Sequence, residues 1–352
     1  MTVLRALSLA TLVLLGLAAA CGDDDDEATE QRPAEETATE SETALEEVTF
    51  VAGFKPQANL PFVGVYVAQE QGFFADEGLE VTIEHDTGGQ GEAVRLLVAG
   101  EIEFSTADAA VVMQRRADAE LPLLAIAQIG QTGQQGYAVK ADSGIESPAD
   151  WAGKIVGFKG AAAPPDLFAI LEANGLSEED IDLVNIGFDP RVFVEGQVDV
   201  YPLFLSNEPY TIENQLGTPI TIFEAADYGI PTLGLTYVTS EDYLAEKPEV
   251  VDAFLRATLR GISWAAENRE EALEIVGIYA PEEDPELMAF MFDAELAAAQ
   301  EGVGAEGIGL FDDERWQELY ELLLSHDGLS AEIDPAAAYD GSLVTEIYAE
   351  HP

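Results

Sequence analysis

Cysteine, histidine and basic residues are all scarce in this chain: of 352 residues, one is cysteine, three are histidine and 15 are lysine or arginine. A lone cysteine, Cys21, excludes an internal disulfide. The histidines are His85, His326 and His351, and they form no metal-spaced cluster. No nucleophile elbow is present either, so the common sequence signatures of hydrolases and zinc enzymes are missing. Paired carboxylates occur everywhere and therefore single out nothing. The deficit of cations says most. Against 68 acidic residues it leaves a net charge of −53, and a surface of that sign repels nucleic acid and anionic lipid. Counterions relieve such self-repulsion by screening, so a saline habitat fits the composition.

Long apolar runs are also few. Met1 to Ala20 holds the clearest one, Leu12 to Ala20 behind a single Arg5. It is short for a membrane span and ends in small residues, as a secretory signal does. Cys21 follows directly after Ala18-Ala19-Ala20, with Gly22 behind it. That arrangement is similar to a lipobox, although Ala18 stands where leucine is more usual, and it makes Cys21 the expected lipid attachment site. Residues 21–47 hold 12 carboxylates and one arginine with almost no large apolar residue. They cannot bury enough surface to offset chain entropy and are expected to be a disordered, extended tether. The Asp23 to Asp26 run reads as solvated charge rather than a metal site. The signal carries +1 and the tether −11, which leaves −43 on the body.

From Val48 onward the pattern changes to alternating strands and helices. Strands are predicted at Val48–Ala52, Leu79–Glu84, Ile102–Phe104 and Leu123–Ile129, with helices at Phe62–Gln71, Gln90–Ala99 and Asp108–Ala117 between them. The same logic continues with strands at 136–140, 154–158, 181–186, 198–205, 219–223 and 233–239, and a helix at 164–174. A long amphipathic helix spans 248–268, and 285–300 and 312–324 are helical, followed by a poorly patterned tail from Asp327. The alternation predicts an α/β fold with parallel strands.

Three motifs in this order carry a resemblance. They are Gly64-Val65-Tyr66-Val67-Ala68 running into Gln71-Gly72-Phe73-Phe74, then Gly88-Gly89 through Leu96 to Phe104, then Ser147-Pro148-Ala149-Asp150-Trp151-Ala152-Gly153-Lys154. Over roughly 48–324 the chain resembles the NMT1/THI5-like solute-binding proteins of thiamine-precursor, sulfonate and nitrate uptake. The resemblance implies a two-lobed, type II periplasmic-binding-protein-like fold with two crossing hinge strands. Lobe I would comprise 48–137 plus 235–352, and lobe II 138–234. It also implies a monomer without cofactor that binds a small organic solute in the interlobe cleft by hinge closure and delivers it to an ABC transporter permease. Some intracellular members of the group make the pyrimidine, so an enzyme stays open as an alternative. A surface interaction module is another.

In open α/β sheets ligands bind at the carboxyl ends of strands, and the loops at those ends supply the candidates. After the first strand come Phe54, Lys55, Asn59 and Phe62, with Tyr66 one turn on. The aromatic rings can stack on a solute ring and Asn59 can bond its edge, although Phe62 and Tyr66 read equally well as core. Gly88, Gly89 and Gln90 open a helix, where backbone N–H groups can approach a ligand; a plain tight turn is the alternative. Thr106 lies where another helix is expected to begin, with Asp108 as its cap. In the second half Lys159 and Gly160 follow a strand, as do Phe188 and Asp189. Tyr201 precedes Asn207 and Glu208, the best polar candidates, whose carboxylate can take charge-assisted hydrogen bonds from an amino-pyrimidine or flavin edge. Lys159 reads alternatively as a surface lysine and Glu208 as a solvated loop residue. Aromatics and carboxylates outnumber cations in these loops, which favours a neutral or weakly basic heteroaromatic solute, such as a thiamine pyrimidine precursor or a riboflavin-like flavin, over sulfonate or nitrate.

Overall fold

The computed structural model describes residues 45–86, 90–119, 121–160 and 162–350. The expected signal peptide, Cys21 and most of the tether lie outside them, as do Gly88 and Gly89. The first stretch runs β1 (Glu46–Ala52), α1 (Leu60–Glu70), α2 (Phe73–Asp76), β2 (Leu79–His85), α3 (Gln90–Val98), β3 (Phe104–Asp108), α4 (Ala109–Ala119) and β4 (Leu123–Gln128). The second runs β5 (Gln135–Lys140), β6 (Ile155–Phe158), α5 (Pro165–Ala173), β7 (Asp182–Asn185), α6 (Arg191–Val194), β8 (Tyr201–Phe204), α7 (Glu208–Leu216) and β9 (Ile220–Glu224). The third comprises β10 (Leu235–Ser240), α8 (Glu241–Glu246), α9 (Pro248–Glu267), α10 (Arg269–Tyr279), α11 (Pro285–Ala299), α12 (Asp313–Ser325) and α13 (Ser342–Glu350).

Two sheets result. The first has the order β2-β1-β3-β10-β4. In the second, β5 lies between β8 and β9, and a single parallel bridge from Val156 to Val200 sets the β6–β7 pair beside β8. The expected parallel pairing holds for β1 with β2 and β3 and for β6 with β7, but not throughout. β10 is antiparallel to both β3 and β4, and β5 is antiparallel to β8 and β9. Each of these strands enters its sheet from the other half of the body, through a crossing segment rather than a helix, and so arrives from the opposite end. The crossing segments pair with each other: Gly130 N–H donates to Leu235 O (3.0 Å), Gly234 N–H to Gly130 O (2.9 Å) and Gly133 N–H to Thr232 O (3.1 Å).

Helix α1 is apolar on every side, and nine of its 11 residues are buried, which is how such a helix must sit. It lies against α9, whose apolar face centres on Phe254. That ring stacks on Phe104 at 3.9 Å and on Phe50 and Phe74 at about 6 Å. A second buried cluster joins Trp316, Leu319 and Leu323 of α12 to Met113 of α4 and to Leu167 and Ile170 of α5, so one apolar seam runs from the first half of the body to the second. Three local expectations change. The strand expected at 102–104 runs on through Asp108, so Thr106 is a strand residue rather than the start of a helix. Glu208 opens α7 rather than sitting in a loop. The tail from Asp327 is ordered by packing: Tyr339 stacks on Phe311 at 4.8 Å, and Val344 and Ile347 of α13 are buried.

Candidate ligand-binding cleft

Strands β1, β3, β6 and β8 all end facing one cavity of about 790 Å³, and α11 closes it from a third side. The loop after β1 is pinned to the neighbouring strand: Gly53 N–H donates to Thr106 Oγ1 (3.0 Å) and Ser105 Oγ donates to Val51 O (2.7 Å). The backbone around Phe54 and Lys55 is thereby held at the cavity edge. Phe54, Lys55, Asn59, Phe62, Thr106, Lys159, Phe188, Asn207 and Glu208 all line the cavity, as the sequence led us to expect. Phe54 is 44% exposed, Phe188 71% and Phe204 43%; three of the seven exposed large hydrophobic side chains among the described residues thus sit on this one opening.

Glu208 accepts four hydrogen bonds from three groups. Lys159 Nζ donates to both its oxygens at 2.6 Å, Tyr201 Oη donates at 2.9 Å and Phe204 N–H at 2.8 Å. The Lys159 ammonium also lies 4.6 Å from the Tyr201 ring centre, 5.6 Å from Phe204 and 6.0 Å from Phe188, within cation–π range of all three. Burial pulls the lysine's pKa down and Glu208 opposes that shift. Lys55 is likewise committed, to Glu283 at 2.5 Å. Both lysines of the cleft therefore already have carboxylate partners.

Four expectations are corrected. Tyr66 does not line the cavity: its ring stacks on Tyr279 at 4.1 Å and its hydroxyl shares a 2.6 Å hydrogen bond with His85. Tyr201 is fully buried behind Glu208 and orients that carboxylate instead of meeting a solute. Asp189 does not line the cavity and accepts from Arg191, which draws its carboxyl down to about 2. Gly160 borders an adjoining smaller cavity rather than the main one. Gly88, Gly89 and the side chain of Gln90 lie outside the described residues, and Gln90 supplies only the first residue of α3.

Sequence reasoning missed Glu295. Its Oε1 accepts from Asn59 Nδ2 (2.9 Å) and Ser206 Oγ (3.0 Å), so one buried carboxylate ties the loop after β1 to the loop after β8. Burial raises its pKa to about 6 against those donors. A signal was there to find: Met288, Met291, Phe292, Ala298 and Ala299 form the buried stripe of α11, and Glu295 falls on it at helical spacing. Gln57 and Gln135 were also missed. Each has a buried side-chain oxygen with no hydrogen-bond partner, and both residues line the cavity.

Residues 59–272 match the profile of the family described as NMT1/THI5 like. The chain belongs to the NMT1/THI5-like family. Relatives of this NMT1/THI5-like chain include the formylaminopyrimidine-binding protein of Halalkalibacterium halodurans, 31% identical over 310 residues, 86% of this chain and 91% of that one. The riboflavin-binding protein RibY of Chloroflexus aurantiacus is 28% identical over 351 residues, covering 97% of this chain and 98% of its own. A 4-amino-5-hydroxymethyl-2-methylpyrimidine phosphate synthase of Legionella pneumophila is 24% identical over a shorter stretch, 60% of this chain and 67% of that one. Among solved structures, the periplasmic sulfonate-binding protein SsuA of Methylobacillus flagellatus KT superposes with a TM-score of 0.67 at 15% identity, covering 87% of this chain and 95% of that one. At that identity the likeness speaks for the fold, which is the two-lobed periplasmic-binding-protein fold. No helix among the described residues is long and apolar enough to cross a membrane.

Proposed function

We propose that this chain is the extracytoplasmic solute-binding component of an ABC importer, and that its cleft closes on a planar, neutral or weakly basic heteroaromatic solute of the thiamine-pyrimidine or riboflavin kind. One observation carries the reading: Gln57 and Gln135, whose side-chain oxygens are buried without a hydrogen-bond partner, line a cleft whose mouth bears the exposed rings of Phe54, Phe188 and Phe204. A buried acceptor left unpaired costs about 1–3 kcal/mol, which a solute N–H removes. Ring stacking adds about 0.5–1.5 kcal/mol per pair beyond the area buried. A sulfonate or nitrate finds no such match. Both cleft lysines are taken by glutamates, and Asp108 and Glu295 add negative charge to the walls.

Closure would occur about the paired crossing segments, residues 129–134 and 230–234, with lobe I on one side and lobe II on the other. A lipid on Cys21 and the acidic tether behind it would keep the body close to a permease. Binding rather than catalysis is supported by coverage: the relatives named as binding proteins align with 86% and 97% of the chain, the synthase with 60%.

Mass spectrometry of the gently purified protein should reveal a heteroaromatic compound released on denaturation. Calorimetric titration should show binding of riboflavin or formylaminopyrimidine and none of an alkanesulfonate. The reverse preference, or conversion of either compound during incubation, would overturn the proposal.

A further inference from the structure

A second cavity, of about 330 Å³, adjoins the first. The two share Asp108, Gln135, Lys159, Phe188 and Phe204, so the Lys159 side chain stands in a wall common to both. Past that wall the chemistry changes. Val111 of α4, Pro165 of α5, Leu203 of β8 and Leu319 and Leu322 of α12 make the lining apolar. Its own polar groups are Gln114, Tyr137, Asp166, which is buried and accepts from Tyr137 Oη at 2.8 Å, and Thr232, whose buried hydroxyl has no partner.

At 330 Å³ the annex alone reaches the lower end of small-molecule pockets, about 300–1,000 Å³. A single six-membered ring held by Gln57 and Gln135 leaves it to water, and apolar wall left wet forfeits about 25 cal/mol per Å². We propose that the annex is a second subsite, taking the hydrocarbon edge of a fused-ring solute whose N–H-bearing edge lies in the first cavity. This rests on the heteroaromatic reading and narrows it from single rings to fused ones. An anionic appendage is excluded, because Asp108 and Asp166 border the annex and its one cationic lining side chain, Lys159, is already bound to Glu208.

The test uses Val111→Trp and Ala110→Phe, positions that line the annex but not the main cavity. The full chain and both variants are titrated with riboflavin and with formylaminopyrimidine by calorimetry, with melting curves recorded alongside. The unaltered protein should bind riboflavin at least tenfold more tightly than formylaminopyrimidine. Each variant should weaken riboflavin at least tenfold and change formylaminopyrimidine less than twofold. If one variant fails to fold, the other makes the same comparison. Equal losses for both compounds, no loss for either, or a preference for the single ring in the unaltered protein would overturn the annex and leave the heteroaromatic reading standing. Binding of neither compound would overturn both.

Discussion

A carboxylate taken out of water without a cation needs donors, and Glu295 has Asn59 and Ser206. They do not fully compensate, since burial still lifts its pKa from 4.5 to about 6. The folded-state value lies above the unfolded one. The associated stability is therefore complete below about pH 4.5 and is lost as pH rises to about 6, a change of about 2 kcal/mol. Glu295→Gln removes that titration, so urea unfolding should show the parent losing about 2 kcal/mol relative to the variant between about pH 4 and pH 7. A constant difference across that range would mean that Glu295 does not titrate this way. Phe188 offers the opposite case. Being 71% exposed it stabilises little, and Phe188→Ala should leave the melting temperature within about 1 °C. Its loss should nonetheless weaken solute binding about tenfold, roughly the upper value of one aromatic stacking contact.

Between elements, α1 and α9 approach each other closely. A Cβ added at Gly261 would lie 2.2 Å from Gly64 O, and one at Gly64 would lie 2.6 Å from Ile262 Cγ1. At Gly261 backbone meets backbone, with no side-chain end to yield, so the two helices must separate to admit a methyl group there. Gly261→Ala is expected to cost about 3 kcal/mol, at the upper end for overpacking, as read from denaturant midpoints. A cost under about 0.5 kcal/mol would show that the helices slide apart freely. Gly130 and Gly234 make a similar contact where the crossing segments meet, each Cβ position lying about 3 Å from the other's Cα. Helix α9, with one dominant periodicity, was legible within a residue because its apolar stripe follows from sequence spacing alone. Helix α13 was not, because its apolar residues Val344 and Ile347 become a buried face only once β4 and α9 lie beneath them.

For the molecule as a whole the dominant long-range force is self-repulsion, with a net charge of −53. Raising salt from about 0.1 M to 1 M shortens the screening length from about 10 Å to about 3 Å. The melting temperature should therefore rise by about 5 °C or more over that range, equivalent to roughly 2 kcal/mol for a body of this size. A melting temperature that falls or stays level would show that other terms offset the repulsion. Composition determined this acidity, and motif order with the strand–helix alternation determined the α/β class and the family. Most of the cleft was legible as well, because ligand loops in such sheets follow strand ends, which is how Phe54, Asn59, Lys159 and Glu208 were found. Only the tertiary structure decided which way each strand-end side chain turns: Tyr66 and Tyr201 into the core, Asp189 to Arg191, Lys159 onto Glu208. Tertiary structure also brought Glu295 to the cleft from more than 200 residues beyond Asn59. Periodicity records which face of an element is apolar, but a partner far along the chain is chosen by packing, and local sequence holds no record of that choice.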